Sequence, residues 1–308
     1  MKQASLVLGI CLCATGIAFA QFKPAHIPET ATWFAQLDAK ALRVSAVAGL
    51  VPQLLDDAAM QQVAAVQSLT GVSLANDIDT AVLFGKGNVP TNAVLALYGR
   101  FNVNRMTTVL SMASEFENRA LGTLNLLSWI DNGQRNHLCF LDPTHVVFSR
   151  DGDEAVAAVK QITDPAAANP AAAQTLTPLP NRFFALQVNQ VKDFLADNQQ
   201  LTMLLNSTDS LTLDLGTRPD DGGIDATLAL AVNTPEQATQ LHQILLGLQA
   251  LLMMQAKDNP DTAALAQQVK VSLDGQRINM RVSLSRQDLQ QLIDAQVAKR
   301  QPPAPEIK

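Results

Sequence analysis

Apolar and polar positions along this chain change period in an order that occurs twice. From Thr32 to Leu37 they alternate as in a strand, and Asp38 then stands where a helix N-cap belongs, ahead of Leu42, Val44, Val47 and Val51 at helical spacing. Pro52 interrupts that helix and fits the first position of the next, which runs to Gly71. Two strand-like runs follow, Asp79–Gly87 and Thr91–Phe101, separated by Asn88, Val89 and Pro90, and then a helical run from about Asn104 to Arg119. The runs LNLLSWI, RNHLCFL and HVVFS predict a three-stranded meander, in which an Asp142-Pro143-Thr144 turn sets His145 opposite Leu141. A helix starting near Asp151, with Glu154 placed as in a capping box, closes this half.

Residues Thr163–Pro180, with four prolines and many alanines, have no sustained period and are expected to form a linker. The second half then repeats the order. NRFFALQVNQVKDFL matches the strand-then-helix opening, and DSLTLDLGT with DATLALAVN matches the strand pair. Ala93–Leu97 aligns with Ala226–Leu230, each run leading into a helix. Thr234-Pro235-Glu236-Gln237 signals the start of a helix carrying Leu241, Leu245, Leu248 and Leu252. QVKVSLDGQRINMRVSLSR predicts a final hairpin, and Ser285 with Asp288 caps a last helix.

The repeated DNGQR (131–135) and DGQR (274–277) are hairpin turns first, because Asn-Gly and Asp-Gly accept the positive φ that tight turns demand. A second reading has Arg135 and Arg277 presenting paired cations at symmetric places. The fold class expected is α+β, as two similar modules, each a mainly antiparallel sheet with helices packed on one face. The expected boundaries are a signal peptide at 1–20, a first module at 21–162, a linker at 163–180, a second module at 181–298 and a disordered tail at 299–308.

Residues 1–20 carry Lys2, an uncharged apolar stretch and Ala18-Phe19-Ala20, the pattern of a secretory signal peptide cleaved before Gln21. The apolar run is short of the ~20 residues that span a bilayer, so no membrane span is expected after cleavage, and the location expected is periplasmic or secreted. Cleavage removes Lys2 from 22 basic residues set against 28 acidic ones and moves the net charge from −6 to −7. An acidic chain without a basic block offers nothing to nucleic acid. Cys139 is then the single thiol, so no intrachain disulfide is expected.

Catalytic motifs are missing. Gly85-Lys86-Gly87-Asn88-Val89-Pro90 is no dinucleotide fingerprint, and Gly71-Val72-Ser73-Leu74-Ala75 has no second glycine for a nucleophile elbow, so no catalytic residue and no cofactor is assigned. His137, Cys139, Asp142 and His145 are metal-ligand types within nine residues, but on neighbouring strands at most two converge, and no metal is expected. The acidic clusters Asp151–Glu154 and Asp220–Gly223 fit a helix N-terminus and a hairpin turn. Asp214, inside an apolar run, suits an edge or an open face. The helix QATQLHQILLGLQALLMMQAKDN holds more Leu and Met than one face against a sheet needs, which makes Leu245, Leu248, Leu252 and Met253 candidates to line an apolar cavity.

Leu69-Thr70-Gly71-Val72-Ser73 through Asn76-Asp77-Ile78-Asp79, with Tyr98-Gly99-Arg100-Phe101-Asn102, resembles a segment of uncharacterised exported bacterial proteins with repeated α+β modules. The resemblance covers about fifteen residues; it implies export and fold and carries no functional residue. The first functional reading is an exported, non-catalytic binding protein or envelope-associated scaffold with a protein partner. A second is a soluble carrier of an apolar small molecule, held beside the Leu/Met-rich helix or between the modules. A third is an enzyme whose polar groups come from distant positions, which requires convergent groups with shifted pKa values in a cleft.

Overall fold

The computed structural model describes residues 22–87, 89–165, 167–177, 179–191, 207–254 and 266–300. The signal-peptide and helix-entry (192–195) expectations lie outside them, and so does the tail expected at 299–308 except for Lys299 and Arg300, which are helical rather than disordered. β1 (Trp33–Asp38) leads into α1 (Ala39–Val44), where Asp38 caps as expected by accepting from the Ala41 N–H at 2.7 Å. The chain then breaks, and a short turn, α2 (Val51–Leu54), precedes α3 (Asp57–Thr70). The break falls after Pro52 because Asp56 is the better cap, accepting from Ala59 N–H, and α3 ends on Gly71 at a φ of 75°.

β2 (Ile78–Gly85) and β3 (Val94–Gly99) pair, and Asn102 caps α4 (Val103–Leu110). The helical run expected as far as Arg119 ends nine residues early. Ser114–Leu121 is instead β4, an edge strand on β5 (Leu124–Asp131). Its charged, helix-favouring residues suit a strand exposed on both faces, where they also discourage pairing with another chain. β6 (Gln134–Asp142) and β7 (His145–Ser149) complete the meander, and Asp151 caps α5 (Gly152–Thr163) through the amides of Asp153 and Glu154. Asn132 and Gly133 sit at φ values of 50° and 73°, as the tight turn between β5 and β6 requires.

The proline-rich segment expected to be a linker holds α6 (Pro170–Thr175) and packs into the core. Asn169, 3% exposed, caps α6 and donates to the Ala31 carbonyl at 2.9 Å, so these residues clamp the chain start onto the body. The second half follows as β8 (Arg182–Asn189), β9 (Thr208–Thr217), β10 (Ile224–Val232), α7 (Pro235–Met254), β11 (Val269–Asp274), β12 (Arg277–Leu284) and α8 (Arg286–Arg300). Ser285 and Asp288 cap each other's amides reciprocally at the start of α8.

The fold is α+β, and the described residues form one antiparallel sheet of 12 strands in the order β11-β12-β10-β9-β8-β1-β2-β3-β7-β6-β5-β4. In it β1-β2-β3-β7-β6 and β8-β9-β10-β12-β11 run outward in corresponding order, and β4 and β5 extend the first half beyond this match. The halves do not close into separate sheets, because β1 pairs with β2 along one edge and with β8 along the other. An apolar strand such as β1, with Phe34 and Leu37 on opposite faces, is stable only between two neighbours. Nor do all the helices share a face. On the face of Phe34, Val82, Ala96 and Val147 lie α5 and α6; on the other lie α4, against Leu97 and Val146, and α7, against Leu186, Leu228 and Ile278. Among the described residues no helix is long and apolar enough to cross a membrane.

Candidate functional site

Where β8 meets β1, the face that carries Phe34 dips into a cavity of about 160 Å³. Strand alternation and register set its floor: Gln36 and Asp38 of β1, Thr80 opposite Asp38 on β2, and Ala185 opposite Gln36 on β8. Phe22 and Pro24 close one side, Leu176 and Leu179 another, and Arg182 and Phe183 stand at the start of β8. Arg182 is held by Asp214 at 2.9 Å and by the Thr177 carbonyl, which gives Asp214 the partner that its place in an apolar run did not reveal. Asp38 uses Oδ1 on Ala41, and no cation lies within ion-pair reach of it among the described residues. The side chains of Gln36 and Thr80 have no hydrogen-bond partner there. Sequence reasoning saw Asp38 only as a cap and missed the others, because the strands that join them are far apart in the chain.

A closed aromatic cluster adjoins the cavity. Phe22 meets Tyr98 edge-on at 5.6 Å, His26 stacks on Tyr98, and His26 Nδ1 shares a 2.8 Å hydrogen bond with the Tyr98 hydroxyl. Burial, then the charges of His145 and Lys23, push His26 down to about 4. Burial raises the Tyr98 hydroxyl well above its ordinary value. These shifted groups sit in the core rather than in an open cleft, so they are not placed to exchange protons with a substrate.

The metal-ligand types are dispersed among other tasks. His137 Nδ1 lies 2.9 Å from the Ser128 hydroxyl, and burial, followed by the charge of Arg135, lowers its pKa. Cys139 is fully buried, and its thiol is pushed up to about 11. A bulge leaves Leu141 out of register, so His145 stands across from Asp142 rather than Leu141 and bonds it at 2.7 Å. Burial opposes the Asp142 charge, yet hydrogen bonds from Thr144 and His145 outweigh it and hold the carboxyl below the usual range. Among the described residues no three His, Cys, Asp or Glu side chains come together as a metal site.

Arg135 pairs with Glu115 and Glu117 on β4, and among the described residues Arg277 has no corresponding acidic partner, so the two arginines differ in their surroundings. Asp151 is the α5 cap, while Asp220 and Asp221 bind Arg218 within their turn.

α7 forms the second feature. Ala238, Leu241 and Leu245 face the sheet, and Gln249 ties the helix to the carbonyls of Ala266 and Val269. Ile244, Leu246, Leu248, Leu251, Leu252, Met253 and Met254 are exposed, from 39% (Met253) to 77% (Met254), around the C-terminal half of the helix. Of the four residues proposed to line an apolar cavity, Leu245 is therefore in the core and Leu248, Leu252 and Met253 are on the surface; none of them lines the cavity beside Asp38.

No protein-family model matches the chain, and no curated protein does. Among solved structures the chain is similar to crystal form III of TP0453, at a TM-score of 0.51 and 10% identity over 90% of this chain and 99% of that one. Crystal form I of TP0453 gives 0.49, also at 10% identity, over 90% and 98%. At that identity the likeness is one of fold: a large antiparallel sheet with helices, α+β in class.

Proposed function

We propose that this is an exported, non-catalytic binding protein of the cell envelope, working through the exposed apolar C-terminal half of α7. The observation that carries the reading is the run of seven large apolar side chains exposed on one helix that has no Asp, Glu, Lys or Arg after Glu236. Leaving that much apolar surface in water costs roughly 25 cal/mol per Å², and contiguous patches of this kind mark places where another apolar surface docks. Leucine and methionine side chains also adapt to partners of varied shape. Export rests on the leader pattern of residues 1–20. The non-catalytic part is supported by the placement of the shifted groups, His26, Tyr98 and Cys139, inside the core.

The test compares wild-type protein with a Leu248→Gln, Leu252→Gln, Met253→Gln variant. Both are assayed for enhancement of an apolar dye, for co-sedimentation with envelope fractions of the host, and by native mass spectrometry after purification from that envelope. The variant is expected to keep its unfolding midpoint while losing most of the dye signal and the co-sedimentation. Equal behaviour of the two proteins would reject the surface.

A further inference from the structure

We infer that the cavity at the β1–β8 junction is a binding site for a small organic amine, an ammonium head on a short apolar body. It lies across the sheet from α7 and is independent of the surface assigned above.

The sign of charge decides the class of ligand. Two ionised groups line the space, and the cation of Arg182 is already answered by Asp214 and the Thr177 carbonyl. The carboxylate of Asp38 is not: one oxygen takes the Ala41 amide, and no cation reaches the other among the described residues. The space therefore presents a carboxylate without an ion-pair partner among the described residues, with the Gln36 side-chain amide oxygen and the Thr80 hydroxyl lining the same space as further acceptors. A primary ammonium has three N–H donors and no acceptor, which suits a carboxylate with an amide oxygen and a hydroxyl lining the same space. A carboxylate or phosphate ligand would meet Asp38 as a like charge, and the Arg182 cation is already paired with Asp214. Phe22, Phe183, Leu176 and Leu179 supply an apolar wall for the body, and aromatic rings near an ammonium add attraction. About 160 Å³ limits the occupant to a small molecule rather than a lipid chain or a peptide.

The experiment is titration of the full mature chain with n-butylamine, n-butanol and butyrate, followed by calorimetry and by amide chemical shifts. Asp38→Asn is the informative variant, because asparagine keeps the N-cap of α1 while removing the charge. Thr80→Val, which leaves Asp38 and its cap intact, guards against misfolding of the first variant. Expected are saturable binding of n-butylamine, shift changes at residues 36–38, 80 and 182–185, weakening by about tenfold or more in Asp38→Asn and by a smaller factor in Thr80→Val, and no binding of butyrate. Equal response to n-butanol, preference for butyrate, an unchanged affinity in a folded Asp38→Asn, or no binding of n-butylamine to the wild type would each overturn the assignment.

Discussion

The two halves of the sheet start from the same strand order and end covered differently. In the first half, the closing helix α5 lies on the face of Phe34, Val82 and Val147 and buries Ala155, Ala158 and Val159 there, while α4 covers the opposite face. In the second, the corresponding closing helix α8 passes to the other side and packs Leu289 and Ile293 against Leu37, Phe184, Leu215 and Ile224. Both α7 and α8 thus share one face, and among the described residues no helix covers the other face beyond β8. That uncovered face is polar: Thr212, Asp214, Asp225, Thr227, Asn279, Arg281 and Ser283 occupy it. Two halves with the same strand order can therefore differ in layering, provided the side-chain alternation changes with it. β3 is apolar on both faces, whereas β9 alternates Leu211, Leu213 and Leu215 with Ser210, Thr212 and Asp214.

The contrast can be broken most strongly at Phe34, fully buried on the doubly covered part. Phe34→Ala is expected to cost about 3–5 kcal/mol in urea unfolding, because the strands around it cannot close the cavity. A cost below about 1 kcal/mol would mean that α5 does not pack as described. Asn169→Ala comes next: it removes the α6 cap and leaves the Ala31 carbonyl without its donor, at an expected loss of about 1–3 kcal/mol, where a free linker would show none.

The third expectation concerns pH. The folded value of His26, about 4, lies below the ordinary 6.5, so the unfolded chain takes up the proton first. Stability from this site is full above pH 6.5 and falls as pH drops from 6.5 to 4. The urea midpoint should decline across that window, and less steeply in His26→Gln; an identical slope in both proteins would remove His26 as the cause. The smallest effect is expected on the uncovered face. Asp225→Ala loses an ion pair to Arg281 and a hydrogen bond from Ser283, both near solvent, for about 0.2–1 kcal/mol by the same unfolding assay. A loss as large as that of Phe34→Ala would show that something covers this face after all.

Local chemistry was legible along the chain. Asp38, Asp151 and the Ser285/Asp288 pair cap helices where their spacing put them, and Gly133 and Gly275 turn the repeated DNGQR and DGQR hairpins at positive φ. These features involve residues within a few positions of each other, so sequence alone determines them, along with the α+β class. Ser114–Leu121 misled because its charges fit a helix face and an edge strand equally, and only the free edge of β5 chose between them. The outward placement of Leu248 and Leu252, the side taken by α8, the pairing of β1 with β8 and the meeting of Asp38, Thr80 and Arg182 were all decided by tertiary structure. Each depends on contacts between residues tens to hundreds of positions apart, and periodicity within a segment carries no information about which segment it will meet.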